Sequence, residues 1–234
     1  MAATPHYCEP KAFATFCDQL PLVESTTGLV NAATAIAMHA FPEIALADVH
    51  ARIDELTERI RARARSRSPQ ALLAHLHDVL FDEEGFAGPP DSAYYDPSSS
   101  FFPLALETRR GLPITLSLIY KAIANNLGLK TCGVNAPFHF LVRVRSEKGW
   151  LLIDPFEHGR LYHRDEAIAR IEAIAGRNRL RDDQFLPPAT HREWLRRMLD
   201  NLCATLERRG HTWDLMAMSE LKQALDESLV LQYA

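Results

Sequence analysis

Apolar positions recur at helical spacing along the first half of the chain, then switch to alternation, then return to helical spacing. Between Pro113 and Gly128 the residues Leu116, Ile119, Tyr120, Ile123 and Leu127 fall at three- and four-residue intervals, which predicts a helix. Pro113 suits its first turn, where the N–H would have no helical partner, and Gly128 suits the residue just past its end. Upstream, Ala12, Phe13, Phe16 and Leu20 predict a short helix closed by Pro21. Residues 27–41 are apolar on most sides, which predicts a buried helix, capped from Ser25, Thr26 or Thr27 and ended by Pro42. Residues 45–65 are two-faced: Val49, Ile53, Leu56 and Ile60 line one side, while Asp54, Glu55, Glu58 and Arg59 line the other. Ser68-Pro69 opens a further helix through Leu72, Leu73, Leu76, Val79 and Leu80. The stretch from Asp82 to Ser100 reads as a long Gly/Pro/Ser/Asp loop, and a loop of that length signals a function or a boundary. Phe101 to Glu107 reads as a short helix leading into the central one.

After Gly128 the period drops to two. Leu129–Asn135 and His139–Arg145 read as strands separated by a break at Pro137-Phe138. Ser146–Gly149 reads as a turn, Trp150–Ile153 as a strand ending at Asp154-Pro155, and Leu161-Tyr162 as a short strand. Asp165–Ala175 predicts a helix and Gly176–Gln184 a charged connector. Pro187 to Thr190 caps a helix whose apolar face carries Trp194, Leu195, Met198, Leu199, Leu202, Cys203 and Leu206. Gly210 stops it, and Thr212 or Asp214 starts a partner helix with Leu215, Met218, Leu221 and Leu225, making a helical hairpin. The fold class is therefore α+β: an N-terminal helical region over 1–90, a core of one central helix on an antiparallel sheet over 91–180, and a C-terminal helical hairpin over 181–234, packed as one body.

Composition narrows the function classes. A net charge of -4 gives no global case for nucleic acid or an anionic membrane as partner, and no apolar run approaches the length of a membrane span. The N-terminus lacks a basic stretch followed by an apolar one, and Cys8, Cys17, Cys132 and Cys203 are scattered, which points to reduced thiols in the cytoplasm. No His or Cys spacing suits a metal, and no cofactor is expected. The run from Arg61 to Arg67 reads either as a phosphate-binding patch or as a solvated helix end; it has no aromatic interleaving for base stacking, which favours the helix end.

The candidate chemistry lies in the alternating stretch. With Ser146–Gly149 as a hairpin turn, Arg145 faces Trp150 and Leu141 faces Asp154, so His139 and Asp154 share a face as diagonal neighbours. A carboxylate there would fix the tautomer of His139 and raise its basicity, the base–orienter half of a nucleophilic site. The same spacing also suits a core histidine beside a strand-end aspartate. Thr115 and Ser117 lie in the first turns of the central helix and read as candidate nucleophiles or as helix-start hydrogen-bonding groups. Cys132 and Cys203 read as small buried hydrophobes. Arg109 and Arg110 are candidates to bind an anion or to pair with Glu107 or Asp96, and Tyr94 and Tyr95 read as loop aromatics that plug a core or meet a ligand.

These residues together resemble a known family. Tyr94-Tyr-Asp-Pro-Ser-Ser-Ser100, Leu106 through Arg109-Arg-Gly-Leu-Pro113-Ile-Thr115 to Ser117, Asn135-Ala-Pro-Phe-His139 to Arg143, and Leu152-Ile-Asp-Pro155 resemble the SirB-type transglutaminase-like family of bacteria. The resemblance implies a papain-like core and tetratricopeptide-type C-terminal helices. In catalytic transglutaminase-like proteins a nucleophilic Cys opens the helix, the His follows on a strand and the Asp on the next. Here His139 and Asp154 match the last two, while the Cys position falls at or beside Pro113. Relatives look Pro-Ile-Thr there as well. Ser99 stands where they tend to have Asn, and Phe138 where they tend to have Gly, a bulky neighbour that would narrow access to His139. Two functions follow as expectations: a non-catalytic regulatory factor that holds a protein or peptide partner, or a hydrolase or acyl-transfer enzyme using His139 oriented by Asp154, acting on water or through Thr115.

Overall fold

A computed structural model describes residues 4–147, 149–175 and 186–230. The helical periodicity of the first half becomes α1 (Pro10–Gln19), α2 (Thr26–Met38), α3 (Leu46–Arg63), α4 (Pro69–His77), α5 (Phe102–Thr108) and the central helix α6 (Pro113–Asn126). Side chains cap three of them: Ser25 accepts from Gly28 N–H and Ser68 from Ala71 N–H, as expected, and Glu9 accepts from Ala12 N–H. Pro113 occupies the first turn of α6. Gly128 closes that helix with a φ of 85°. Its N–H donates to Asn125 O and that of Leu129 to Ala124 O, the paired bonds that satisfy a helix's last carbonyls.

Five antiparallel strands form one sheet in the order β4-β3-β2-β1-β5: β1 (Thr131–Ala136), β2 (His139–Ser146), β3 (Gly149–Asp154), β4 (Arg160–Tyr162) and β5 (Pro188–Ala189). Arg145 faces Trp150 in β3, as the turn at Ser146–Gly149 requires, and the ladder runs on to Val142 opposite Ile153. Alternate residues serve two cores. Phe140, Val142, Val144 and Ile153 join the main core with α6, which is buried from Pro113 to Ala124. Val134, Leu141, Leu152 and Tyr162 pack on the opposite face against Ala167 and Ile171 of α7 (Arg164–Ala175). The main cluster runs from Cys8 through α6 to Leu225 in the C-terminal hairpin of α8 (His191–Arg209) and α9 (Thr212–Val230).

The structure departs from the sequence reading in two places that shape the site. The segment from Asp82 to Ser100 is not free loop: a π-helical turn (Asp78–Glu83) and 3-10 turns (Asp91–Ala93, Pro97–Ser99) organise it. Ala87 forms an isolated bridge with Arg110, and Gly88 N–H donates to Phe156 O at 3.2 Å. Those bonds are to distant residues, so local composition could not reveal them. Pro188-Ala189 adds an edge strand to β1 before the helix begins, and a proline is tolerated on that edge. Thr190 then caps α8 reciprocally with Glu193. The connector Gly176–Gln184 lies outside the described residues. No helix among the described residues is long and apolar enough to cross a membrane.

Candidate functional site

His139 opens β2 and Asp154 closes β3, both beyond the last rung of the ladder at Val142–Ile153. Their side chains meet with His139 Nε2 2.6 Å from Asp154 Oδ2. Both residues are buried, His139 at 4% exposure and Asp154 at 0%. The other carboxylate oxygen of Asp154 accepts from Phe156 N–H at 3.0 Å and Glu157 N–H at 3.4 Å, so the strand-end turn fixes the acid before it touches the histidine. A carboxylate at that distance is an acceptor, which favours the Nε2–H tautomer of the ring. The Phe156 ring stands edge-on to the imidazole at 6.0 Å.

A cleft of about 680 Å³ opens over this histidine. Its sheet wall is Phe138, His139 and Phe140, and its helix wall is Leu112, Pro113 and Ile114 at the start of α6. Tyr94 and Tyr95 close one side and Ile174 of α7 touches the cleft. The remaining wall is a stripe of α8: Arg197, Asn201, Ala204, Thr205 and Arg208, spaced to share one helical face. Trp194, fully buried, docks α8 onto the site: its Nε1 donates to Ile114 O at 3.2 Å and its ring packs 4.5 Å from that of Phe140. Gly133 makes room for it, because a Cβ there would lie 2.4 Å from the indole.

Position 138 shapes the mouth. The turn between β1 and β2 has two residues, Pro137 and Phe138, and Phe138 has a φ of 58°. Proline followed by a left-handed residue is the pattern of a type II turn, which favours Gly second. Phe138 accepts the strain and lays a ring with 60% exposure at the rim, beside a histidine with 4%.

The predicted site residues divide. His139 and Asp154 come together, and His139 lines a cleft that Pro113 also lines. Thr115 is placed elsewhere, which corrects its candidacy as nucleophile: it is 0% exposed and its hydroxyl donates to Ser100 O at 3.4 Å, so no substrate reaches it. Ser117 is likewise buried and donates to Phe140 O. Tyr95 lines the cleft, with the Arg208 guanidinium 4.6 Å from its ring centroid. Arg109 and Arg110 do not, and their expected partners are corrected. Arg109 Nε pairs with Glu84 at 2.6 Å, and Arg110 donates to the carbonyls of Gly85 and Arg109. Asp96 pairs instead with Arg209 at 3.4 Å. Glu84 also takes Arg52 and Arg59; burial works against its charge, but the arginines hold its carboxyl below the usual range. The cations at the end of α3 are engaged too: Arg61 meets Glu58 and Asn126 O, and Arg63 meets Glu83.

The four cysteines stand apart from the cleft lining. Burial pushes the thiols of Cys17, Cys132 and Cys203 up, and burial together with Glu220 and other charges pushes Cys8 up to about 12. Among the described residues no three His, Cys, Asp or Glu side chains group as a metal site would need. What sequence reasoning missed is the α8 wall. The signal was present: Arg197, Asn201, Ala204, Thr205 and Arg208 recur at helical spacing on the polar side of a helix whose apolar side is plain.

A helix packed on an antiparallel sheet, with a His–Asp pair across a cleft from the helix start, defines a transglutaminase-like core. Residues 47–200 match the transglutaminase-like superfamily, and the chain belongs to it. Among curated proteins it is similar to UPF0162 proteins of bacteria. That of Xylella fastidiosa strain 9a5c is 34% identical over 184 residues, covering 76% of this chain and 65% of the relative. That of Pseudomonas aeruginosa is 32% identical over 183 residues, covering 77% and 66%. The chain thus spans about two thirds of the length of these relatives. Human F-box only protein 21 is 31% identical over 122 residues, 43% of this chain and 19% of that protein. No solved structure matches.

Proposed function

We propose that this transglutaminase-like chain is a non-catalytic factor that uses the cleft over His139 to hold a segment of a protein partner. The observation that carries this reading is Pro113 on the helix wall. A nucleophile at a helix start gains from the helix dipole and from a base across the cleft. Proline has no atom that can attack a carbonyl. The hydroxyls that line the cleft do not compensate: among the described residues His139 hydrogen-bonds through its side chain to Asp154 alone. An open, mixed aromatic and polar cleft remains, suited to recognition. The SirB-type resemblance agrees with a regulatory rather than a degradative role, and the α8–α9 hairpin, tetratricopeptide-type in that resemblance, supplies the wall a partner would meet.

One observation favours a second reading, catalysis without a thiol: the 2.6 Å pair of His139 Nε2 with Asp154 Oδ2. His139 Nδ1 would take a proton from water, the water oxygen would add to a carbonyl, and Nδ1–H would return the proton to the leaving group.

Turnover separates the two. The full chain is incubated with casein and dansylcadaverine to read acyl transfer, and with casein alone to read amide hydrolysis. We expect wild type and His139→Ala to be indistinguishable in both. Product that forms with wild type and disappears in His139→Ala overturns the non-catalytic reading.

A further inference from the structure

The two arginines of the α8 wall differ from their neighbours in sequence. Arg196 pairs with Asp226, and Arg209 pairs with Asp96. Arginines elsewhere, such as Arg52, Arg63 and Arg170, also meet carboxylates. Arg197 and Arg208, on the cleft side of the same helix, meet none among the described residues. Arg197 donates to the neutral oxygens of Asn135 and Ala136 and lies 5.8 Å from the Phe140 centroid; Arg208 lies over Tyr95. Burial pulls the Arg197 guanidinium below its ordinary range, against Tyr94 and Asp200. A half-buried cation held by neutral groups retains donors for an anion, and a guanidinium matches a carboxylate two bonds at a time. No Asp or Glu is among the described residues that line the cleft, whose other ionisable groups are His139, Tyr94 and Tyr95. Among the described residues the cleft lining therefore carries two guanidiniums and no carboxylate, on a protein whose net charge is -4.

The spacing sets the shape of the occupant. Arg197 and Arg208 are eleven residues apart on α8, about 16 Å along the axis at 1.5 Å per residue. An extended chain covers that in about five residues. Between them lie Asn201, Ala204 and Thr205, too small to block a backbone, and Tyr95 and Phe138 offer exposed rings beside it. Resting on the peptide-binding reading above, we infer that the occupant is an acidic, extended peptide segment with two carboxylates roughly five residues apart and apolar or aromatic side chains between them. Charge complementarity carries the acidity, and the α8 stripe carries the spacing.

The test is selection from a random peptide phage library on the full chain, repeated on Arg208→Glu and Ala204→Trp. Both positions are exposed, so both variants should keep the wild-type circular dichroism melt, which is recorded first. We expect selected peptides rich in Asp and Glu, lost on Ala204→Trp, weakened about tenfold or more on Arg208→Glu, and weakened by added salt. Cleft-dependent peptides that are neutral or basic, or that ignore Arg208→Glu, overturn the acidic assignment and leave the peptide-binding reading standing. A fluorescent single-stranded oligoadenylate that binds more tightly than any selected peptide, with the same variant sensitivity, overturns the peptide as occupant. Failure to select any sequence that Ala204→Trp abolishes overturns the peptide-binding reading itself.

Discussion

The sheet wall and the helix wall of the cleft differ in their chemistry. The sheet wall keeps every contact a base–orienter pair needs: a buried carboxylate fixed by two backbone N–H groups and a histidine 2.6 Å from it. The helix wall presents Leu112, Pro113 and Ile114. α6 starts where a nucleophile would stand, is buried through its first three turns, and is clamped by Trp194, yet it presents Pro113 and turns Thr115 into the core. The difference teaches that the geometry of a cleft and the chemistry of its lining are separate properties, and geometry alone does not establish an activity.

The strongest way to break this comparison is to remove the clamp. Trp194 is fully buried, donates to Ile114 O and packs on Phe140, joining both walls to α8. Trp194→Ala should cost about 3–5 kcal/mol in urea unfolding, because it leaves a large void and removes a buried hydrogen bond. It should also abolish peptide capture. A loss under about 1 kcal/mol would show that the walls hold together without α8.

Deeper along α6 a half-buried histidine at the end of α4 meets that helix, and its partner is a phenol rather than a carboxylate. His77 Nε2 lies 3.0 Å from the hydroxyl of Tyr120 on α6. Burial depresses its pKa from 6.5 to about 4, against the opposing charges of Asp78 and Asp82. The unfolded chain therefore binds this proton first as pH falls. The stability His77 contributes is complete above about 6.5 and is lost progressively towards 4. Full protonation corresponds to roughly 3 kcal/mol at most. Urea midpoints of wild type should fall across that window, and those of His77→Gln should fall less. Parallel curves would remove His77 as the cause.

The sheet wall should respond in a different observable. Asp154→Asn keeps the shape but replaces an acceptor of three hydrogen bonds with an amide, at a cost of about 1–3 kcal/mol. In the wild type, long-range proton–nitrogen correlation should report His139 as the Nε2–H tautomer. The variant should shift the ring to the Nδ1–H form or a mixture. A tautomer indifferent to the substitution would mean that Asp154 does not orient the base.

How far the sequence disclosed this arrangement follows from the range of each interaction. The His139–Asp154 contact was legible because a short turn and a period of two leave one register, and the ladder keeps Arg145 opposite Trp150. The end of α6 was legible because Gly128 closes it with local bonds. The partners of Arg109 and Asp96 were not legible. Glu84 and Arg209 lie far along the chain, and many carboxylates compete for an arginine when only composition is known. Thr115 could be placed at the helix start but not turned, since the direction of its hydroxyl depends on how Ser100 packs against α6. The α8 wall escaped for the same reason: its stripe is visible in sequence, but nothing local says that it faces His139.

The smallest expected effect is also the sharpest on function. Phe138 holds a φ of 58°, a backbone conformation that costs an L-residue about 1 kcal/mol and glycine nothing. Its ring is largely exposed, so little packing is lost with it. Phe138→Gly should leave stability unchanged or raise it by up to about 1 kcal/mol, the relieved strain being offset in part by the greater freedom of an unfolded glycine. The same change clears the rim above His139. If Pro113 is what silences the site, opening the rim changes access and not chemistry: peptide affinity falls with the lost ring, and casein remains intact. If amide hydrolysis appears in Phe138→Gly and vanishes again in Phe138→Gly with His139→Ala, then the sheet wall was competent alone. The bulky residue at the mouth, not the proline at the helix start, would then be what separates this chain from an enzyme.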